Sequence, residues 1–193
     1  MTAVTLVLLP LVVATVLLFA RTALVARAIA LIGAIATFVT AVLLPGSDAV
    51  QVPWIPTFGA FIAFDPSHAG GVLALVASLV MVPTVLWASL RVESNTGRFL
   101  AALFAMWSGL MGLFLARDLV LFYVFWEATL LPSLVMLGGW GGPQRRQALL
   151  KYLLYAVAGS FAMLLTIAAI KPLAGAESYL FADLLAASVS LDV

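Results

Sequence analysis

The chain has no cysteine, which excludes a disulfide framework, a thiolate zinc site and a cysteine-held iron–sulfur cluster. Its one histidine, His68, cannot build a histidine metal site alone. Charge is as scarce: nine basic and eight acidic residues make up 9% of 193 positions, against roughly 25% in soluble domains. A net charge of +1 offers no basic field to nucleic acid. What is present instead is apolar. With 65% hydrophobic residues and a mean hydropathy of +1.23, the chain is remote from disorder and from ordinary water-soluble domains alike. Its solvent is the lipid bilayer.

The charges punctuate six long, nearly neutral runs: Met1–Ala20, Ala28–Ser47, Ala69–Leu90, Phe99–Ala116, Leu119–Gly138 and Tyr152–Ile170. A helix rises about 1.5 Å per residue and the hydrocarbon core is about 30 Å thick, so each run has the length of a spanning helix. None shows the period-two alternation of a membrane barrel strand. The first run has no positive n-region and no small-residue cleavage pattern before Arg21, so it reads as a permanent span and not as a secretory signal.

With the N-terminus outside, the inner loops carry Arg21, Arg27, Arg91, Arg98, Arg145, Arg146 and Lys151, and the outer side only Arg117 and Lys171. That asymmetry is a positive-inside bias. Asp48, Asp65, Asp118, Glu177, Asp183 and Asp192 then face outside and Glu93 inside. The outer segment 45–68, with Pro45, Pro53, Pro56, Pro66 and Trp54, predicts a folded interfacial loop with its indole at headgroup depth. After Lys171, Pro172 predicts a helix stop. Leu180, Phe181, Leu184, Leu185 and Val189 then recur at helical spacing beside Asp183, Ser188 and Ser190, the pattern of a short amphipathic helix on the outer surface. The abrupt end after it implies a fragment or one part of a split protein.

One acid remains. Glu127 lies near the middle of the fifth run, too deep to snorkel, and insertion scales charge a central acid about 2.5–3.5 kcal/mol. At such depth desolvation favours a neutral carboxyl group and a nearby ammonium favours a charged one, so a movable partner makes a proton switch. The plainer alternative is an acid that merely hydrogen-bonds a neighbouring helix. Pro132, five residues on, removes a backbone donor from the carbonyl of Ala128. Thr129 and Ser133 could supply hydroxyls to a polar pocket around the acid; a proline kink without chemistry explains Pro132 equally well. Lys151 opens the sixth run either as an interfacial anchor or as a proton-entry residue. Gly159 and Ser160 beyond it permit close helix approach. Asp118 reads as the N-terminal cap of the fifth helix, and Gly109 and Gly112 as packing glycines.

The stretch ARDLVLFYVFWEATLLPSLVMLGGWGGPQRRQALLKYLLYAVAGS resembles the chain M family of bacterial NADH:quinone oxidoreductase (respiratory complex I). Asp118, Phe122, Phe125, Trp126, Glu127, Pro132, Trp140, Gly141, Gly142, Lys151, Tyr155, Gly159 and Ser160 fall where that pattern expects them. The outer-loop run WIPTFGAFIAFDPS is similar as well, although Pro66 stands where glycine is usual. The resemblance implies an all-α integral membrane protein of about six transmembrane helices plus a short amphipathic helix, part of an antiporter-like fold. Residues 1–98 would form a three-span segment and 99–193 the start of the proton-translocating repeat. It implies that Glu127 works with a lysine on a broken helix beyond this sequence, that Lys151 is an entry or relay residue, and that the chain holds no redox cofactor. Its partners would be other membrane subunits of complex I, and the remainder of a split chain, in a bacterial inner membrane. Multisubunit cation/proton antiporters and membrane-bound hydrogenases share the glutamate and lysine. Two alternatives therefore stand beside complex I: an antiporter chain, and a truncated non-transporting scaffold.

Overall fold

The computed structural model describes residues 2–67 and 69–190. His68 and Asp192 lie outside the described residues, as do the side chains of Ser188, Val189 and Ser190 in the expected amphipathic pattern. The elements run α1 (Thr2–Leu18), α2 (Ala23–Val42), β1 (Val50–Ile55), β2 (Ala60–Phe64), α3 (Ala69–Arg91), α4 (Thr96–Leu115), α5 (Leu119–Trp140), α6 (Arg145–Ala174) and α7 (Phe181–Ser190). Each of the six apolar runs is thus a helix. Five of them, α2 to α6, are long and apolar enough to cross a membrane, and α1 is an apolar helix of 17 residues, about 25 Å on the helical rise.

At the centre stands α4. Leu100, Phe104, Trp107, Met111 and Leu115 recur three and four residues apart and are all fully buried, and α4 packs against α1, α3 and α5. Small residues set these distances, as expected of helices that approach by van der Waals packing. A Cβ on Gly33 of α2 would meet Val13 of α1 at 2.7 Å, one on Gly70 of α3 would meet the Phe114 carbonyl oxygen at 2.0 Å, and one on Gly109 of α4 would meet Thr129 of α5 at 2.8 Å. Ser108 Oγ donates to the Val7 carbonyl at 2.7 Å, a polar tie between α4 and α1. By contrast α6 rests on α5 and α7 and exposes Leu154, Val157, Phe161 and Leu165.

The structure corrects the sequence reading in three places. Within the outer segment, residues 50–64 form a β-hairpin: β1 and β2 pair antiparallel from Val50↔Phe64 to Ile55↔Ala60, with an irregularity between Pro53 and Ile55, where proline cannot donate to the ladder. Next, α2 starts at Ala23 and not at Ala28. Thr22 caps it by accepting from Val25 N at 3.3 Å, so Arg27 sits inside the helix, where a long side chain can carry its charge toward the interface. Last, α6 starts at Arg145 and runs through Pro172 to Ala174. Proline removes only the bond to the exposed Ala168, and the helix closes at Gly175, whose φ of +67° suits a residue without a side chain.

The helix ends fall into two layers. One gathers the α1–α2 and α3–α4 turns with the end of α5, where Trp140 Nε1 donates to the Ser94 carbonyl at 2.8 Å and the ring meets Phe99 edge-on. The other gathers the hairpin, the α4–α5 junction and residues 175–181. There Arg117 N donates to Ala63 O, Leu119 N to Tyr179 O, Tyr179 N to Gly59 O and Phe181 N to Arg117 O, each at 2.9–3.0 Å.

Because Gly70 abuts a main-chain carbonyl, Gly70→Ala should destabilise the bundle by about 1–3 kcal/mol or more. Gly139→Ala, with nothing within 4 Å of the new methyl group, should be neutral or stabilising by up to about 1 kcal/mol. Thermal unfolding in detergent checks the pair, and equal midpoints would contradict the packing described.

Candidate proton-handling site in helices five and six

The geometry of the site begins at Asp118. Its Oδ1 accepts from Val120 N at 2.9 Å and Leu121 N at 3.0 Å, and its Oδ2 accepts from Phe61 N of β2 at 3.0 Å. One carboxyl group therefore both caps α5 and ties it to the hairpin. Asp118 is fully buried. Burial pushes its carboxyl group above the ordinary carboxylate value, against the three N–H donors from Leu121, Phe61 and Val120, which pull it down. Burial, and then the charge of Asp118, raise the nearby Tyr179 phenol as well.

Lys171 closes the same layer. Its Nζ donates to Phe58 O at 2.8 Å and lies 5.3 Å from the centroid of the Tyr179 ring, which stacks on Phe58. Arg117 and Asp65 make an ion pair at 3.7 Å. The two basic residues of this layer are thus engaged in holding the hairpin over the ends of α4 and α6.

From that anchor α5 runs inward with two working faces. Phe125 meets Gly112 and Phe64, Thr129 meets Gly109, and Ser133 Oγ lies 3.6 Å from Met106 Sδ, so this face belongs to α4. Tyr123 and Glu127, one turn apart, face α6. Ser160 Oγ donates to Glu127 Oε1, and Tyr123 Oη is 3.2 Å from Ser160 Oγ. A cavity of about 290 Å³ opens here, lined by Tyr123, Glu127, Ser160 and the apolar side chains of Leu130, Leu153 and Val157 among others. Glu127 is eight residues into α5, about 12 Å from its N-terminal end on the helical rise.

The other sequence-derived candidates fall elsewhere. Thr129 Oγ1 donates to Trp126 O at 2.7 Å and Ser133 Oγ to Thr129 O at 2.8 Å; both lie on the α4 side, where Ser133 also reaches Met106 Sδ, away from the acid. Pro132 lies inside α5, seven residues after Phe125 and so on nearly the same side. Lys151 is exposed on the second turn of α6. Nine residues separate it from Ser160, about two and a half helical turns, so it points away from the side that meets Glu127. Gly159 has no atom within 4 Å of a built Cβ, and Tyr155 is 78% exposed. Tyr123 had not been singled out from sequence, although its position four residues before Glu127 puts the two on one helical face.

Residues 116–190 match the family model described as NADH:quinone oxidoreductase/Mrp antiporter, TM. NADH-quinone oxidoreductase subunit 13 of Thermus thermophilus is 38% identical over 166 residues, covering 83% of this chain and 34% of the relative. Over these stretches the chain is similar to antiporter-like membrane subunits. Subunit M of the NADH-quinone oxidoreductase of Rhodobacter capsulatus is 34% identical over 104 residues, 54% of this chain and 20% of the relative. Respiratory complex I from Thermus thermophilus with bound NADH contains a chain that superposes with a TM-score of 0.85 at 35% identity, covering 96% of this chain and 39% of its own. The chain spans between a fifth and about a third of the length of these curated relatives. It is a multi-pass, membrane-embedded protein, and its matched segment contains the whole Tyr123–Ser160–Glu127 array.

Asp118→Asn separates the two tasks of Asp118. Asparagine is a good cap, but its NH₂ group would confront the Phe61 N–H, leaving a donor without an acceptor at a cost of about 1–3 kcal/mol. The variant should unfold earlier in detergent, with faster amide exchange at Phe61 than at Val120. Unchanged exchange at Phe61 would mean that the tie to the hairpin contributes nothing.

Proposed function

We propose that this chain is a membrane subunit of a proton-pumping NADH:quinone oxidoreductase, in which Glu127 is the switching acid. The observation that carries this reading is a carboxyl group deep in a spanning helix, held across a helix interface by neutral hydroxyls, within the segment matched by the family. A charge at that depth is costly and is retained mainly where it works. An acid held by hydroxyl groups can lose or gain a proton without breaking an ion pair.

In this reading electron transfer from NADH to quinone takes place in other subunits, which are also the partners of this one, and reaches Glu127 as charge rearrangement. Residues 1–98 are the leading three-helix segment and residues 99–193 the start of the proton-translocating repeat. Lys151, exposed near the inner end of α6, is the entry or relay residue on that side. Thr129, Ser133 and Pro132 shape α5 against α4 so that the acid faces α6. The N-terminus lies outside, in a bacterial inner membrane, because the layer rich in arginine then faces the cytoplasm.

Two experiments test this. Glu127→Gln keeps the side-chain volume and removes the titrating proton, so the assembled complex should form normally and lose NADH-driven proton pumping. Normal pumping in the variant would return Glu127 to a structural role. For orientation, Ser94→Cys and Thr57→Cys place thiols on exposed residues of opposite layers. An impermeant maleimide added to intact cells should label Thr57→Cys and spare Ser94→Cys, and the reverse pattern would invert the topology.

A further inference from the structure

Tyr123, Ser160 and Glu127 form a line of three oxygens whose hydrogen bonds can run in only two senses. A carboxylate accepts and never donates. While Glu127 is charged, Ser160 gives its one proton to Oε1. Tyr123 Oη, 3.2 Å away, must then be the donor to Ser160 Oγ, since serine has no second proton. Once Oε1 carries a proton, the sense reverses: Glu127 donates to Ser160, and Ser160 turns its own O–H to the lone pair of Tyr123 Oη. The carboxylate gains one proton and two O–H groups rotate. No other bond forms or breaks.

The surroundings support such a role. Ser160 is buried while its neighbours Gly159 and Phe161 are exposed, and its hydroxyl crosses to α5 where Thr166 on the same helix bonds back to Ala162 O at 3.0 Å. Tyr123 and Glu127 are the titratable groups that line the cavity; the rest of its wall, from α5 and α6, is leucine, alanine, valine and phenylalanine apart from Ser160 itself. With no other charged group on that wall, the hydroxyl pair is what adapts to the charge of the acid.

We infer that Ser160 is the positioning residue of Glu127, its hydroxyl reversing direction as the acid takes up or releases a proton so that the carboxyl group stays docked on α6 in both states, with Tyr123 as the counterpart that permits the reversal. This rests on the reading of Glu127 as the switching acid. The test uses the assembled complex in membranes, with proton pumping per NADH oxidised and the infrared carboxyl band assigned by its absence in Glu127→Gln. Ser160→Ala should move the carbonyl stretch to higher frequency, as the acid loses its partner, and lower pumping by roughly half or more; Ser160→Thr should restore both. Tyr123→Phe should also shift the band and reduce pumping, and it carries the test if Ser160→Ala prevents assembly. An unmoved band with full pumping in Ser160→Ala, or in Tyr123→Phe, or a threonine variant that restores neither, overturns the inference. Pumping that persists in Glu127→Gln instead overturns the function of the acid itself, whatever the serine variants do.

Discussion

The direction in which Glu127 points depends on how closely α5 can lie against α4. A methyl group on Gly112 would stand 2.2 Å from the Phe125 ring, and one on Gly109 would stand 2.8 Å from Thr129. Those two contacts, a turn apart along each helix, fix the rotation of α5 about its axis as well as its distance. With Phe125, Thr129 and Ser133 committed to α4, Tyr123 and Glu127 are turned to the other side, where α6 supplies Ser160. Asp118 fixes the remaining freedom, sliding along the axis, by holding the first turn of α5 to the hairpin backbone. Rotation, distance and depth of the acid thus follow from two glycines and one capping carboxylate, none of which touches it.

This arrangement divides the molecule by the kind of interaction each part uses. Around α4 the chain is packed side chain against side chain, with Leu100, Phe104, Trp107 and Met111 excluded from the surface. At the hairpin layer the backbone itself is tied, through Ala63, Arg117, Tyr179 and Gly59. Lys171 and Arg117 add their charges there, where a cation can pair at the edge of the bilayer without the cost of full burial. Between α5 and α6, by contrast, the described contacts are an apolar wall and three oxygens. The acid sits beside a cavity outside the α4 core, where a change of proton need not disturb that core.

Much of this was legible in the sequence, because spans and charges are written in composition. Six apolar runs, the arginine-rich side and Glu127 as the one charge out of place all follow from residue type and spacing. What could not be read was direction. An amphipathic helix declares its buried face by period, but α5 is apolar all round, so counting residues groups Tyr123 with Glu127 and sets Thr129 and Ser133 opposite without saying which neighbouring helix each face meets. The hairpin was hidden for a related reason: its prolines signal turns strongly, while the register Val50↔Phe64 is made of pairings between residues that composition treats alike. Pro172 misleads because in soluble helices it ends the chain's helical path, whereas here the backbone loses one bond at an exposed residue and continues to Gly175.

A separate economy of hydroxyl groups explains why Ser160 matters and most of its kind do not. In an apolar medium each hydroxyl must find an acceptor, and the nearest is the carbonyl one turn back on its own helix. Thr15 donates to Leu11, Thr37 to Gly33, Thr40 to Ala36, Thr84 to Val80 and Thr166 to Ala162 in this way. Such a hydroxyl is satisfied locally and carries no information about neighbours. Ser78, Ser108 and Ser160 depart from the pattern by donating across an interface, Ser78 to the Met111 thioether and Ser108 to a backbone carbonyl, neither of which can change its charge, and Ser160 to a carboxyl group that can. A hydroxyl group that leaves its own helix exchanges a certain partner for a distant one, and the geometry keeps that exchange only while the two helices stay in register. The bond from Ser160 therefore joins the position of α6 to that of the acid, and under the proposed role of Glu127 a proton taken up there would be felt as a force between two spanning helices.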